Sequence, residues 1–111
     1  MRAVVAMSPV GVVFTAESLA RIKAPTAIYV AASDRFLVPR FHAEWIARNM
    51  PQASLVRVPN AWHFSFLDTP TLPIPSPDAD IGADPPGFDR AAFLAKLGGE
   101  LVAFFDKAFQ D

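Results

Sequence analysis

The sequence contains no cysteine, which excludes disulfides, a thiolate nucleophile and cysteine-ligated zinc, and leaves the redox compartment open. It also lacks a dominant charge: ten Lys and Arg stand against eleven Asp and Glu, for a formal net charge of -1. A chain so balanced has no surplus of cations to neutralise a phosphate backbone, so nucleic acid is not an expected partner. No apolar run approaches the roughly 18 residues that a spanning helix needs, so a membrane is not expected either. Two His and scattered acids show no ligand spacing, and neither a metal nor an organic cofactor is implied. No internal repeat is present.

What remains is a chain of 111 residues, 52% of them hydrophobic. That length suits a single domain over residues 1–111, able to bury roughly two thirds of its unfolded surface. Met1-Arg2 followed by Ala3 to Phe14 has the outline of a short signal peptide. Ser8-Pro9 interrupts it, however, and no small-x-small cleavage pattern follows. The better reading is a buried strand, Ala3 to Met7, closed by a Ser-Pro-Val-Gly loop. Thr26 to Ala32 and Ser54 to Val58 read as two further strands. The first two are continuously apolar, as strands covered on both faces of a parallel sheet should be. The third alternates and belongs nearer an edge.

The 18 residues between Met7 and Thr26, and the 21 between Ala32 and Ser54, each accommodate the loop–helix–loop crossover that parallel neighbours require. In the first gap Thr15 suits a helix cap, with Leu19 and Ile22 on one face. In the second, Pro39 suits a first helical turn. Val38, Phe41 and Trp45 form a stripe there, and Pro51 ends the helix near Asn49-Met50. The expected fold class is therefore α/β, a three-stranded, mainly parallel sheet with crossover helices and a long carboxyl-terminal helix. Asp89 suits the cap of that helix, and Phe93, Leu97, Leu101, Phe104, Phe105 and Ala108 recur at three- and four-residue steps. Gly98-Gly99 within it costs about 1 kcal/mol each relative to Ala. Close packing of the helix backbone on the sheet is the simplest compensation.

Residues 69–87 break the rhythm. Six of the eleven prolines fall there, which forbids regular structure but stiffens the chain. From Val58 to Asp89 there are five acids and no Lys or Arg. Such an excursion reads either as a rim over a site or as a solvated surface loop.

Two residues stand out by position. Asp34 follows the second strand and His63 follows the third, in Pro59-Asn60-Ala61-Trp62-His63-Phe64. Loops after parallel strands converge on one sheet edge, where open α/β sheets bind ligands. A carboxylate bonded to one imidazole nitrogen fixes the tautomer and stabilises the imidazolium, which leaves the other nitrogen to take a proton. Asp34 taken singly reads as a turn former or cap, and His63 as a packed histidine; only their combination suggests catalysis. His42 reads as a surface residue and Ser8 as a loop residue.

Ala24-Pro25-Thr26-Ala27-Ile28-Tyr29-Val30, then Asp34 and Val38-Pro39, then Pro59-Asn60-Ala61-Trp62-His63, resemble the carboxyl-terminal part of α/β-hydrolases. The tail Asp84-Pro85-Pro86-Gly87-Phe88-Asp89-Arg90 and its Phe-rich helix are similar to predicted dienelactone hydrolases and their platelet-activating-factor acetylhydrolase-like relatives. The resemblance implies a serine hydrolase of carboxylic esters or lactones, with Asp34 as triad acid and His63 as triad base. Chain order in that fold is nucleophile, acid, histidine, so the nucleophile is expected upstream of Ala3. No Gly-x-Ser-x-Gly occurs, and both oxyanion donors are expected outside this chain, so the chain alone is expected to be inactive. Phe36, Trp62 and Phe64 are expected to line an apolar acyl pocket. The expected partners are a small ester or lactone and either an amino-terminal half or a second copy, paired through the first strand. The alternative is a non-catalytic α/β interaction module that uses the proline-rich segment as its contact surface, or a truncated product without a function of its own. Hydrogen-bond contact between Asp34 and His63 separates the first reading from the second.

Overall fold

The computed structural model describes residues 1–75, 77 and 80–110; Ser76, Asp78 and Ala79 of the proline-rich stretch, and Asp111, lie outside the described residues. The architecture follows from one strand. β2 (Thr26–Ala31) is buried at every position and lies between β1 (Val4–Met7) and β3 (Ala53–Val58) in a three-stranded sheet. Both pairings are parallel, with Val4 opposite Thr26 and Thr26 opposite Ala53. The fold is thus α/β, as expected from three apolar runs separated by crossover-length gaps.

Successive side chains of β2 serve opposite faces. Ile28 and Val30 pack with Leu19, Ala43, Ile46 and Met50 beneath α1 (Ala16–Ala20) and α2 (Ala43–Asn49). Ala27, Tyr29 and Ala31 pack on the other face with Val58, Ala61 and Leu97 of α3 (Arg90–Phe109). Burial of a side chain such as Ile28 or Val30 stabilises the fold by about 2–3 kcal/mol. β3 alternates between half-buried and exposed positions from Ala53 to Val56, as its pattern suggested for an edge, and ends in buried Val58. β1 departs from its pattern: Val4, Val5 and Ala6 are only half-buried and Met7 is 37% exposed. Among the described residues it has a strand on one side only, and α1 is too short to shield it.

Thr15 caps α1 as expected, its side chain accepting the Ser18 N–H, whereas Ile22 lies beyond the helix end. Pro39 opens a 3-10 turn (Pro39–Phe41) rather than the α-helix itself. The chain breaks at His42 (φ -121°, ψ -95°) before α2 begins. That break resets the helical phase and displaces the expected stripe: Val38 and Phe41 are 45% and 51% exposed, while Ala43, Ile46 and Met50 carry the packing. Pro51 follows the helix end closely, as read. His42 is not a surface residue. It is half-buried, its Nδ1 accepts the Gly11 N–H at 3.0 Å, and a Cβ on Gly11 would lie 2.5 Å from the His42 carbonyl oxygen. Only glycine allows the loop after β1 to close on the break at that distance.

Asp89 caps α3 by accepting the Ala92 N–H. Phe93, Leu97, Leu101 and Phe104 meet the sheet; Phe105 and Ala108 are half-buried and stand outside that cluster. Gly98 and Gly99 do not approach the sheet. Both are exposed, and a Cβ on either would meet nothing within 4 Å. At 20 residues α3 is about 30 Å long. In its second half Val102 and Phe109 remain 62% and 48% exposed. The radius of gyration, 14.9 Å, exceeds the roughly 13 Å of a compact domain this long.

Two expectations follow for the isolated chain. Gly98→Ala and Gly99→Ala should each raise the unfolding free energy by about 1 kcal/mol in urea melts, because the new methyl groups meet open space. Tyr29, 4% exposed and the sole tyrosine, donates to Glu100 at 3.0 Å. Burial, that hydrogen bond and the Glu100 charge, in that order, push its pKa up to about 12. The folded state therefore holds this proton more tightly than the unfolded chain does. The resulting stability is present below about pH 10 and is lost as pH rises through about 12. Ultraviolet titration should show almost no tyrosinate at pH 10 in the native protein. Glu100→Gln should move the midpoint part of the way down.

Candidate active site

The carboxyl ends of β2 and β3 feed two loops that are tied together before any side chain is considered. Ala32 N–H donates to Val58 C=O at 2.9 Å, and Ser33 N–H donates to Ala61 C=O at 3.1 Å. Asn60 turns the second loop in the left-handed region (φ 54°), which asparagine tolerates, and its side chain donates to Pro86 C=O at 2.9 Å. Asp34 therefore leaves one strand end, and His63 the other, within one shared frame.

Asp34 is 6% exposed and uses both carboxylate oxygens. Oδ1 accepts the N–H groups of Phe36 and Leu37, each at 2.9 Å, which makes the residue the turn former that its position suggested. Oδ2 lies 2.7 Å from His63 Nδ1. The turn-forming and histidine-holding roles thus coexist on separate oxygens. Because an ionised carboxylate only accepts, the contact places the imidazole proton on Nδ1 and leaves Nε2 as an acceptor. Among the described residues Nε2 has no hydrogen-bond partner.

The ring packs against two phenylalanines that also meet each other, at 5.4 Å between centroids. Phe64 meets it edge-on at 4.9 Å between centroids, and Phe36 lies at 5.8 Å. Phe36, Trp62 and Phe64 line a cavity of about 300 Å³ together with His63. Arg35, whose guanidinium stacks over Trp62 at 5.4 Å, shares that wall. Asp80 and Ala83 complete the lining, so the proline-rich excursion forms a rim of this cavity. Among the described residues no cluster of three His, Asp or Glu side chains is arranged to hold a metal ion.

Ser8 is a loop residue, as read, in the bend that follows β1, but it is not a solvated one. It is 7% exposed, sits at the carboxyl end of β1 with φ 44°, and its Oγ has no hydrogen-bond partner among the described residues. It does not line the cavity. A further group was not singled out from sequence: Ser65 Oγ–H donates to Asp84 Oδ1 at 2.6 Å, and Arg90 grips both oxygens of Asp84. The available signal was a long acid-only stretch closed by a single arginine, since such a stretch folded inward needs a buried cation.

Comparison of the chain with protein-family models, with curated proteins and with solved structures produced no match.

The left-handed backbone at Ser8 costs about 1–2 kcal/mol that glycine would not incur. Ser8→Ala, which removes the unpartnered hydroxyl, should accordingly stabilise the chain by about 1 kcal/mol in a denaturant melt, and Ser8→Gly, which also relieves the backbone, by more.

Proposed function

We propose that this chain contributes the acid and the base of a serine-hydrolase triad that cleaves carboxylic esters or lactones. The supporting observation is the 2.7 Å contact of buried Asp34 with His63, at a sheet edge and beside an apolar cavity. In this reading Nε2 removes the proton from a serine hydroxyl as its oxygen bonds to the acyl carbon, and Asp34 stabilises the imidazolium that forms. The imidazolium then gives that proton to the departing alkoxide as the C–O bond breaks. Water repeats the sequence to release the acid and the serine. Phe36, Trp62 and Phe64 give the acyl group an apolar surface.

The serine and the oxyanion donors come from a polypeptide outside these 111 residues. β1 is the proposed attachment point. Its half-buried apolar side chains and its single strand neighbour are what an edge completed by another strand would leave behind. The resemblance to the carboxyl-terminal part of α/β-hydrolases, and to dienelactone hydrolase-like sequences within them, agrees with this division of the site. A non-catalytic module would not require an acid and an imidazole to meet beside a cavity.

A fluorophosphonate probe tests the reading. The chain alone should not be labelled. Mixed with an α/β-hydrolase amino-terminal half that carries a serine elbow, it should promote labelling of that serine, and His63→Ala should reduce the labelling by at least 100-fold, the order of a lost general base. Labelling of the chain by itself at Ser8, or labelling of the mixture unaffected by His63→Ala, would contradict it.

A further inference from the structure

We propose that Ser65, Asp84 and Arg90 form a buried clamp whose role is to position the His63 imidazole against Asp34. The inference rests on the acid–histidine reading above and extends it to three residues that do not touch the reacting groups.

His63 stands on a 3-10 turn of four residues (His63–Phe66), an element too short to orient a side chain by its own rigidity. The turn is closed through Ser65. Ser65 N–H donates to Trp62 C=O at 3.1 Å, and Trp62 N–H donates back to Ser65 Oγ at 3.0 Å. The hydroxyl proton goes to Asp84 Oδ1 at 2.6 Å, so the hydroxyl both donates and accepts within a side chain that is 0% exposed. Asp84 is in turn held by Arg90, with Nε on Oδ2 at 2.8 Å and a terminal nitrogen on Oδ1 at 3.0 Å. This is the two-pronged geometry that makes arginine–carboxylate pairs directional.

Arg90 does more than satisfy Asp84. Its remaining N–H groups reach the carbonyls of Leu67, Ile81 and Ala83 at 3.4, 3.1 and 3.2 Å. One guanidinium, 5% exposed, therefore binds the start and the end of the proline-rich excursion at once, and anchors both to the first residue of α3. A cation in the first turn of a helix opposes the helix dipole. A buried ion pair is also a poor route to stability compared with apolar packing. Stability therefore does not explain the arrangement, whereas geometry does: α3 fixes Arg90, Arg90 fixes Asp84, Asp84 fixes Ser65, and Ser65 fixes the turn that carries His63. The same chain of bonds sets Ala83 in the cavity wall.

The test reads the imidazole itself. Nitrogen-15 spectra of histidine-labelled protein, taken where the ring is neutral, report which nitrogen carries the proton. Wild type should show His63 almost wholly as the Nδ1–H tautomer, and Asp34→Asn should abolish that preference. Ser65→Ala and Asp84→Asn should convert the single tautomer into a mixture, with at least a several-fold rise in the Nε2–H form. Tyr29→Phe, which removes a buried hydrogen bond elsewhere in the sheet, should leave it unchanged. Ser65→Ala removes a single oxygen and carries the test where Asp84→Asn fails to fold. A wild-type tautomer retained in Ser65→Ala, with the preference lost in Asp34→Asn, overturns the clamp and spares the acid–histidine pair. A wild-type His63 without a dominant Nδ1–H form overturns both.

Discussion

A single carboxylate joins the side chains at the carboxyl edge of this sheet, on a frame that backbone hydrogen bonds already set. Asp34 is buried, and a buried carboxylate is tolerated only when its oxygens are satisfied. One oxygen closes the turn after β2 through two backbone N–H groups, and the other meets the imidazole that leaves β3. Loss of the first set would let the loop drift. Loss of the second would free the ring. The apolar walls made by Phe36 and Phe64 depend on the same turn, since Phe36 is itself one of the donors to Asp34.

The rest of the molecule supports this edge unevenly. β2 is buried on both faces and gives the loop of Asp34 a rigid origin, while β1 and the far end of α3 leave apolar surface uncovered. The contrast is physically coherent for a chain that completes its sheet against another polypeptide. The strand at the centre of the described sheet and the residues around Asp34 and His63 are well packed; β1, on the side away from His63, is not. Ser8 lies on that side, strained and with an unsatisfied hydroxyl, where a neighbouring strand or loop would supply a partner.

The fold was legible because its signals were strong and local. Three apolar runs with crossover-length gaps imply a parallel sheet, and Thr15 and Asp89 announce the helices that they cap. The site was legible for a topological reason, namely that strand-end loops in a parallel sheet must meet. What escaped was context. The phase of α2 depends on the break at His42, which exists because Gly11 lets another loop press against it, and no pattern within residues 38–50 records that. The glycines of α3 offered a false cue, because flexibility in a helix reads the same whether the residue faces a sheet or solvent. Arg90 left only an indirect trace in the sequence, the end of an acid-only stretch, since its partners, Asp84 and three backbone carbonyls, are brought together only when the proline-rich excursion folds back.

The account stands on the coupling between Asp34 and His63, and a double-mutant cycle measures that coupling most directly. Unfolding free energies of wild type, Asp34→Ala, His63→Ala and the double variant cancel the turn-forming contribution of Asp34 and leave the pair term alone. A buried, charge-assisted hydrogen bond predicts a coupling of about 1.5–3 kcal/mol. Additive single effects, to within about 0.5 kcal/mol, would mean that the two side chains do not interact in solution, and the proposed site would lose its basis.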